Sequence, residues 1–322
     1  MTHARVQVAI VGAGDIGSGW ASLCVSAGWP VTLFDNSAAA LDAAPVIIAG
    51  RARALAYLGR AQEEEVERGI AQLRVARSLL QACKDAQWII EAIPEDLLAK
   101  QRLFETLESV APNARAVTSS SSGLKIKDIA ARCRRPDRCI VAHPLNPPEL
   151  IPLVELIPGP DTDGALLELL KGWLRALGRI PVVIKKPILG NVAGRIAAAV
   201  WREAIDLVLK DAIEVDDLDR AVSLGPALGW AAAGPHLTYH LAAGERGVAA
   251  FLQSLLTTFE DYWNDLANWS RLEPEDQQRL IRMIEKAYAG KISEIRRARD
   301  RRLAAILRAL EEARTDKGER RL

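Results

Sequence analysis

Short apolar runs alternate with stretches of helical periodicity along the first half of the chain. The runs are Val6–Val11, Val31–Phe34, Trp88–Ala92, Ala116–Ser119, Cys139–Ala142, Leu153–Ile157 and Pro181–Ile184. The early ones are almost continuously apolar, the pattern of parallel strands covered on both faces. Segments such as Ile16–Ala27 and Leu97–Val110 carry helical spacing between them. Strands alternating with helices predict an α/β fold with a doubly wound sheet. The stretch from Ala38 to Cys83 is too long for one crossover. Its charged QEEEVERGIAQ segment predicts an inserted helical pair or antenna near residues 40–82.

Strand signals stop after Lys185-Lys186-Pro187. Helical patterns follow over Val192–Lys210, Val215–Leu224, Val248–Leu266, Glu273–Ala289 and about Lys291 to Arg314. The pattern therefore predicts two domains, 1–186 with a sheet and 187–322 all-α. The longest uncharged run, Ala221–Gly244, contains Pro226, Pro235, His236 and His240, which a membrane-spanning helix tolerates poorly. It is expected to be buried soluble structure instead. The N-terminus lacks the features of a signal peptide.

Composition narrows the function classes. The 322 residues include 42 basic and 41 acidic side chains, so no strong field recruits nucleic acid or an anionic membrane. The tail Lys291–Leu322 is locally basic, with 11 basic and 6 acidic residues, and reads as a solvated face. Cys24, Cys83, Cys133 and Cys139 form no CxxC pair, which predicts reduced thiols and a cytoplasmic location.

The sequence VAIVGAGDIGSGW places Gly12, Gly14 and Gly17 as G-x-G-x-x-G after a strand and at the opening of a helix. Gly12 permits the tight turn, Gly14 lets backbone approach a pyrophosphate, and Gly17 lets helix and strand pack closely. The phosphates would then lie on the helix N-terminus at Asp15 and Ile16. The second strand ends in Asp35, which suits the adenosine ribose hydroxyls and repels a 2′-phosphate. A Rossmann-type domain binding NAD rather than NADP is expected.

Histidine is scarce, with only His3, His143, His236 and His240. His143 ends an apolar run at the carboxyl end of a predicted strand, where open α/β sheets bind ligands. Twelve residues on, Glu155 sits inside IPLVELI, where a carboxylate needs a partner. If the two segments are neighbours, Glu155 can hold one imidazole nitrogen, orient the ring and raise its basicity. The other nitrogen would then take a proton from an alcohol. Upstream, Ser122 in TSSSSGL could hydrogen-bond a substrate oxygen, although a serine run also reads as a plain loop. His236 and His240 have i,i+4 spacing but no third ligand motif, so no metal is assigned.

The combination GAGDIGSGW, IIEAIPEDLLAKQ, TSSSSGLKI and AHPLNPPELIPLVEL resembles the 3-hydroxyacyl-CoA dehydrogenase superfamily. The HPLNPP form and the late GPHLTYHL segment resemble its lambda-crystallin/L-gulonate 3-dehydrogenase and L-carnitine dehydrogenase branch. The resemblance implies NAD-dependent oxidation of a 3-hydroxy group by a Rossmann-type domain followed by an all-α, dimer-forming domain. It puts the catalytic roles on His143, Glu155 and Ser122, a substrate contact on Asn146, and the nicotinamide side of the cofactor site on Glu95 and Lys100. One match fails. Where the family has an asparagine followed by arginine, this chain has Gly194 and Arg195, with Asn191 three residues earlier. Either Asn191 substitutes, or the pocket is opened for a bulkier group.

The expected substrate is a small 3-hydroxy acid resembling L-carnitine or L-gulonate. The alternatives are a 3-hydroxyacyl-CoA, a bulkier hydroxylated substrate admitted by Gly194, or a non-catalytic NAD-binding crystallin-like protein. Aromatics such as Trp230, Tyr239, Tyr262 and Trp263 could bind a quaternary ammonium group or serve as core and homodimer-interface anchors. The sequence leaves that choice open.

Overall fold

The computed structural model describes residues 5–315. His3 and the last seven residues of the basic tail lie outside them. Eight strands form one sheet: β1 (Val8–Val11), β2 (Val31–Phe34), β3 (Arg74–Val75), β4 (Trp88–Glu91), β5 (Ala116–Ser119), β6 (Cys139–Pro144), β7 (Leu153–Pro158) and β8 (Ile180–Val183). Their order is β3-β2-β1-β4-β5-β6-β7-β8. Every pairing is parallel except β6 with β7, which run antiparallel. The helices of this part are α1 (Asp15–Ser26), α2 (Ala38–Tyr57), α3 (Glu63–Gln72), α4 (Leu79–Cys83), α5 (Leu97–Val110), α6 (Ile126–Ile129) and α7 (Gly164–Ala176). A doubly wound, Rossmann-type sheet is the result.

Alternation along each strand supplies both layers. Val8, Ile10, Trp88 and Ile90 face a core built with α1, α2 and α7. Ala9, Val11, Ile89 and Val117 face a second core that includes Phe104 and Leu107 of α5. In the first core Trp20 meets Trp88 edge to face, with ring centroids 5.9 Å apart, and Trp88 stacks on Trp173 at 5.6 Å. Four of the eight tryptophans are thus core or near-core in this part, since Trp29 is buried too.

Of the helical pair or antenna expected near 40–82, the structure has the pair, α2 and α3, and it does not project. Leu41, Ala44, Ile48 and Ala52 give α2 an apolar stripe that packs on α1. Its charged partner α3 also lies on α1, with Gly69 so close that a Cβ would stand 2.0 Å from the Val25 carbonyl. The short strand β3 was also not expected, because two residues carry no periodicity.

The remaining helices are α8 (Asn191–Leu209), α9 (Val215–Leu224), α10 (Pro226–Ala242), α11 (Gly247–Asp265), α12 (Pro274–Ala287) and α13 (Ile292–Thr315). The chain divides into two compact units, Met1–Arg195 and Ile196–Leu322. The division between these compact units falls inside α8, whose first turn is hydrogen-bonded to β7. The second unit has a small core of Val208, Val215 and Leu218, with Met283 and Ile284 packed on it. The uncharged run Ala221–Gly244 contains the whole of α10, yet no α10 residue is buried, contrary to expectation. Gly234, at φ 73°, and Pro235 break the helix midway, and apolar side chains such as Leu228 and Leu241 have no covering layer. Among the described residues no helix is long and apolar enough to cross a membrane.

Candidate active site

The antiparallel turn between β6 and β7 creates the central pair. His143 and Glu155 stand directly opposite in the ladder, so their side chains share one face. His143 Nδ1 lies 2.9 Å from Glu155 Oε2. The carboxylate is almost wholly buried, and its other oxygen is also engaged: Val192 N and Ala193 N donate to Oε1 at 3.0 and 2.9 Å. Left-handed Gly190 (φ 75°) and Asn191 (φ 50°) turn the chain so that the first N–H groups of α8 meet Glu155. A helix N-terminus is a favourable partner for a carboxylate. With Glu155 acting only as acceptor, the imidazole carries its proton on Nδ1 and leaves Nε2 as the basic nitrogen.

The serine loop lies at the carboxyl end of β5. Glu95 Oε1 accepts from Ser121 Oγ at 2.5 Å, Gly123 N at 3.0 Å and Leu124 N at 3.3 Å. Partial burial would raise the Glu95 carboxyl, but these donors and the Lys100 charge outweigh it and hold the group below its usual range. Ser122 sits exposed at the tip of the loop so formed. Lys100 is buried beneath it. Its Nζ donates to Glu91 Oε1 at 2.5 Å and to the Ile93 carbonyl at 3.1 Å, and lies 3.6 Å from Glu95 Oε2. Lys100 therefore shapes the loop from below and presents no open ammonium surface. Asn146 is exposed and joined to Pro147 by a cis peptide bond. Trp230 belongs to the second unit, half-buried on α10.

Sequence reasoning missed Glu91 and Ser120. Glu91 is fully buried at the end of β4 and accepts from Lys100, Ser119 Oγ (2.5 Å) and Ile93 N (2.8 Å). Burial pushes its carboxyl up, and those three donors oppose the shift. An acid closing the apolar run WII was a visible signal of the same kind that pointed to Glu155. Ser120 Oγ accepts from Trp20 Nε1 at 3.1 Å, a contact that no local pattern announces.

The glycine loop fits a dinucleotide. A Cβ on Gly12 would stand 2.4 Å from the Ala92 carbonyl oxygen, and one on Gly17 would stand 1.9 Å from that of Gly12. A Cβ on Gly14, by contrast, would meet nothing within 4 Å, so the loop is tight against protein and open toward a ligand. No side chain caps α1, which leaves its first N–H groups for phosphate oxygens. Asp35 accepts from Ala13 N at 2.7 Å and Ser37 N at 2.8 Å, fixing its carboxylate beside that loop. Each oxygen keeps a further lone pair for a ribose hydroxyl.

Comparison with known proteins agrees with this geometry. The NAD binding domain model of 3-hydroxyacyl-CoA dehydrogenase matches residues 7–187, and the C-terminal domain model of the same family matches residues 190–283. The chain belongs to the 3-hydroxyacyl-CoA dehydrogenase family. It is 33% identical over 311 residues to L-carnitine dehydrogenase of Nocardiopsis dassonvillei, covering 95% of this chain and 92% of that protein. The corresponding enzyme of Streptomyces coelicolor is also 33% identical, over 304 residues and 94% of each chain. Among solved structures, an NAD+-dependent dismutase, 5-formyl-3-hydroxy-2-methylpyridine 4-carboxylic acid 5-dehydrogenase, gives a TM-score of 0.79 at 27% identity, covering 96% of this chain and 99% of that one. FadB2 of M. tuberculosis gives 0.65 at 27% identity, over 89% and 96% of the two chains. This dehydrogenase is accordingly an NAD-dependent oxidoreductase of 3-hydroxy substrates, acting on a CH–OH group.

Proposed function

We propose that the chain oxidises a short, free 3-hydroxy acid of the L-carnitine type to its 3-oxo form, with His143 as base. The observation that carries this reading is Glu155, bound on one side by His143 Nδ1 and on the other by the first turn of α8. The dinucleotide, when bound, would supply the hydride acceptor. His143 Nε2 takes the hydroxyl proton, Ser122 hydrogen-bonds the same oxygen, and Asn146 lines the entrance. Glu155 stabilises the imidazolium so formed. The backbone of Gly12, Gly14, Asp15, Ile16 and Gly17 would cradle the diphosphate, while Asp35 would bind the adenosine ribose and Glu95 braces the loop on the nicotinamide side.

Asn191 completes the substrate site. It is buried, and its Nδ2 has no hydrogen-bond partner among the described residues. Such a donor costs about 1–3 kcal/mol unless a ligand satisfies it, and a substrate carboxylate would do so. One turn later, a Cβ on Gly194 would meet nothing within 4 Å, open space that a bulky substrate group such as a trimethylammonium could use. The same room supports a second reading, a hydroxylated pyridine acid, as does the TM-score of 0.79 with the pyridine-acid enzyme.

The sheet unit then binds cofactor, and the helical unit serves substrate binding and homodimer formation. Trp201, Leu224, Leu241, Tyr262 and Trp263 are each more than half exposed, as apolar anchors awaiting a second copy would be. Tyr239, Phe251, Phe259 and Trp263 wall an apolar cavity of about 680 Å³ in the same unit. The thiols Cys24, Cys83, Cys133 and Cys139 are all free, which suits the cytoplasm.

The test is NADH formation with L-carnitine, L-gulonate, 3-hydroxybutyrate, 3-hydroxybutyryl-CoA and a hydroxymethylpyridine carboxylate, using His143→Ala as control. The expected result is the highest kcat/KM with L-carnitine and none in the control. Preference for the thioester or the pyridine acid would refute the substrate assignment. Full activity of His143→Ala would refute the mechanism.

A further inference from the structure

Arg51, on α2, reaches the start of α1. Its Nη2 donates to Asp15 Oδ1, and its Nη1 donates to the Asp15 carbonyl at 3.2 Å. The same Nη1 lies 3.6 Å from Glu149 Oε1. Glu149 belongs to the crossing that follows His143, and it is buried against α1. At Gly19 a Cβ would stand 2.7 Å from Glu149 Oε2 and 2.8 Å from Pro148 Cδ. One guanidinium thus joins the glycine loop, the inserted helix and the segment after the catalytic histidine.

The position of that charge gives it a task. Asp15 opens α1, whose uncapped N–H groups form the diphosphate cradle. A carboxylate in a first helical turn suits the helix dipole while the cradle is empty, but it repels a diphosphate arriving at the same end. The glycine motif needs only backbone at this place, so the acid is a liability that the fold answers with a cation from outside the motif. The guanidinium is suited to this, because it is always charged and forks between two acceptors. Neither Asp35 nor the glycines supply that compensation.

We propose that Arg51 is a positioning residue for the dinucleotide. It neutralises Asp15 at the cradle, and through Glu149 it holds the segment behind His143 on the same helix. The role is electrostatic, and it makes the inserted helical pair part of the cofactor site. The proposal rests on the cofactor and is independent of which 3-hydroxy compound is oxidised.

The test is NADH binding to the full chain by fluorescence titration, with wild type, Arg51→Gln, Arg51→Lys, Asp15→Asn and the double variant Arg51→Gln/Asp15→Asn. At low salt, Arg51→Gln should weaken binding about tenfold, and the defect should shrink at high salt. Asp15→Asn should restore the double variant to within about threefold of wild type, and Arg51→Lys should stay within the same range. A double variant as weak as Arg51→Gln, or an Arg51→Gln protein binding like wild type, would overturn the proposal. Thermal melting checks that each variant is folded. If Arg51→Gln is not, Asp15→Asn alone decides. It must bind NADH at least as tightly as wild type, and binding weaker by more than about threefold overturns the role.

Discussion

Replacing Glu155 by glutamine should harm turnover more than replacing it by alanine. Glu155 Oε1 faces two backbone donors, Val192 N and Ala193 N. A glutamine must turn its carbonyl oxygen toward them, since its amide nitrogen can only donate. The NH2 group then points at His143 Nδ1 and requires that nitrogen to accept. The imidazole proton moves to Nε2, the nitrogen meant to act as base. In a Ser-His-Asp triad the same tautomer inversion costs about 10⁴ in kcat. Here about 10³–10⁴ is expected, or about 4–5.5 kcal/mol on the barrier at 1.36 kcal/mol per decade. Alanine removes the partner but leaves the tautomer free, so its loss should be about tenfold smaller or less. The assay is NADH formation at 340 nm across pH 6–10, with NADH binding measured separately to show an intact cofactor site. Glutamine retaining more than about a tenth of wild-type kcat would refute the tautomer argument, as would alanine being the more damaging of the two.

Four further outcomes are expected. Gly14→Ala should melt like wild type yet bind NADH weakly, because a Cβ there meets no protein atom within 4 Å and takes the ligand's space. Gly17→Ala should fail to fold or lose thermal stability, since its Cβ would stand 1.9 Å from the Gly12 carbonyl oxygen; equal melting curves for the two variants would contradict this. Glu95 is held below its usual pKa, so its stabilising contribution is complete above the unfolded-state value near 4.3 and is lost as pH falls through the lower folded value. Melting of wild type and Glu95→Gln should accordingly differ at pH 6 and converge toward pH 3, and a gap that widens on acidification would reject the sign. Asp35→Ala should reduce discrimination between NADH and NADPH in direct titrations; unchanged discrimination would remove the ribose assignment.

Much of this molecule is legible in sequence because parallel strands and helices announce themselves by period. The pairing of His143 with Glu155 was readable as a need, a carboxylate in an apolar run, but the sequence could not say that β7 runs antiparallel and sets the two opposite each other. Glu91 followed the same logic and was passed over because its partner Lys100 lies on a helix beyond a loop. The strand β3 escaped because a two-residue strand is defined by its neighbour β2 and not by any pattern of its own. The run Ala221–Gly244 misled for the opposite reason: apolar composition reports a need for cover, and α10 by itself leaves that need unmet.

The reversed direction of β7 also governs which changes in chain length the catalytic pair can survive. Added residues between Pro144 and Leu153 would only lengthen the turn outside the ladder, while one residue inserted between Leu153 and Glu155 would rotate the carboxylate to the opposite face of the sheet. The turn can therefore diverge in length with little effect on the proton-transfer pair. The two residues ahead of Glu155, Leu153 and the core residue Val154, act as a fixed ruler whose number cannot change.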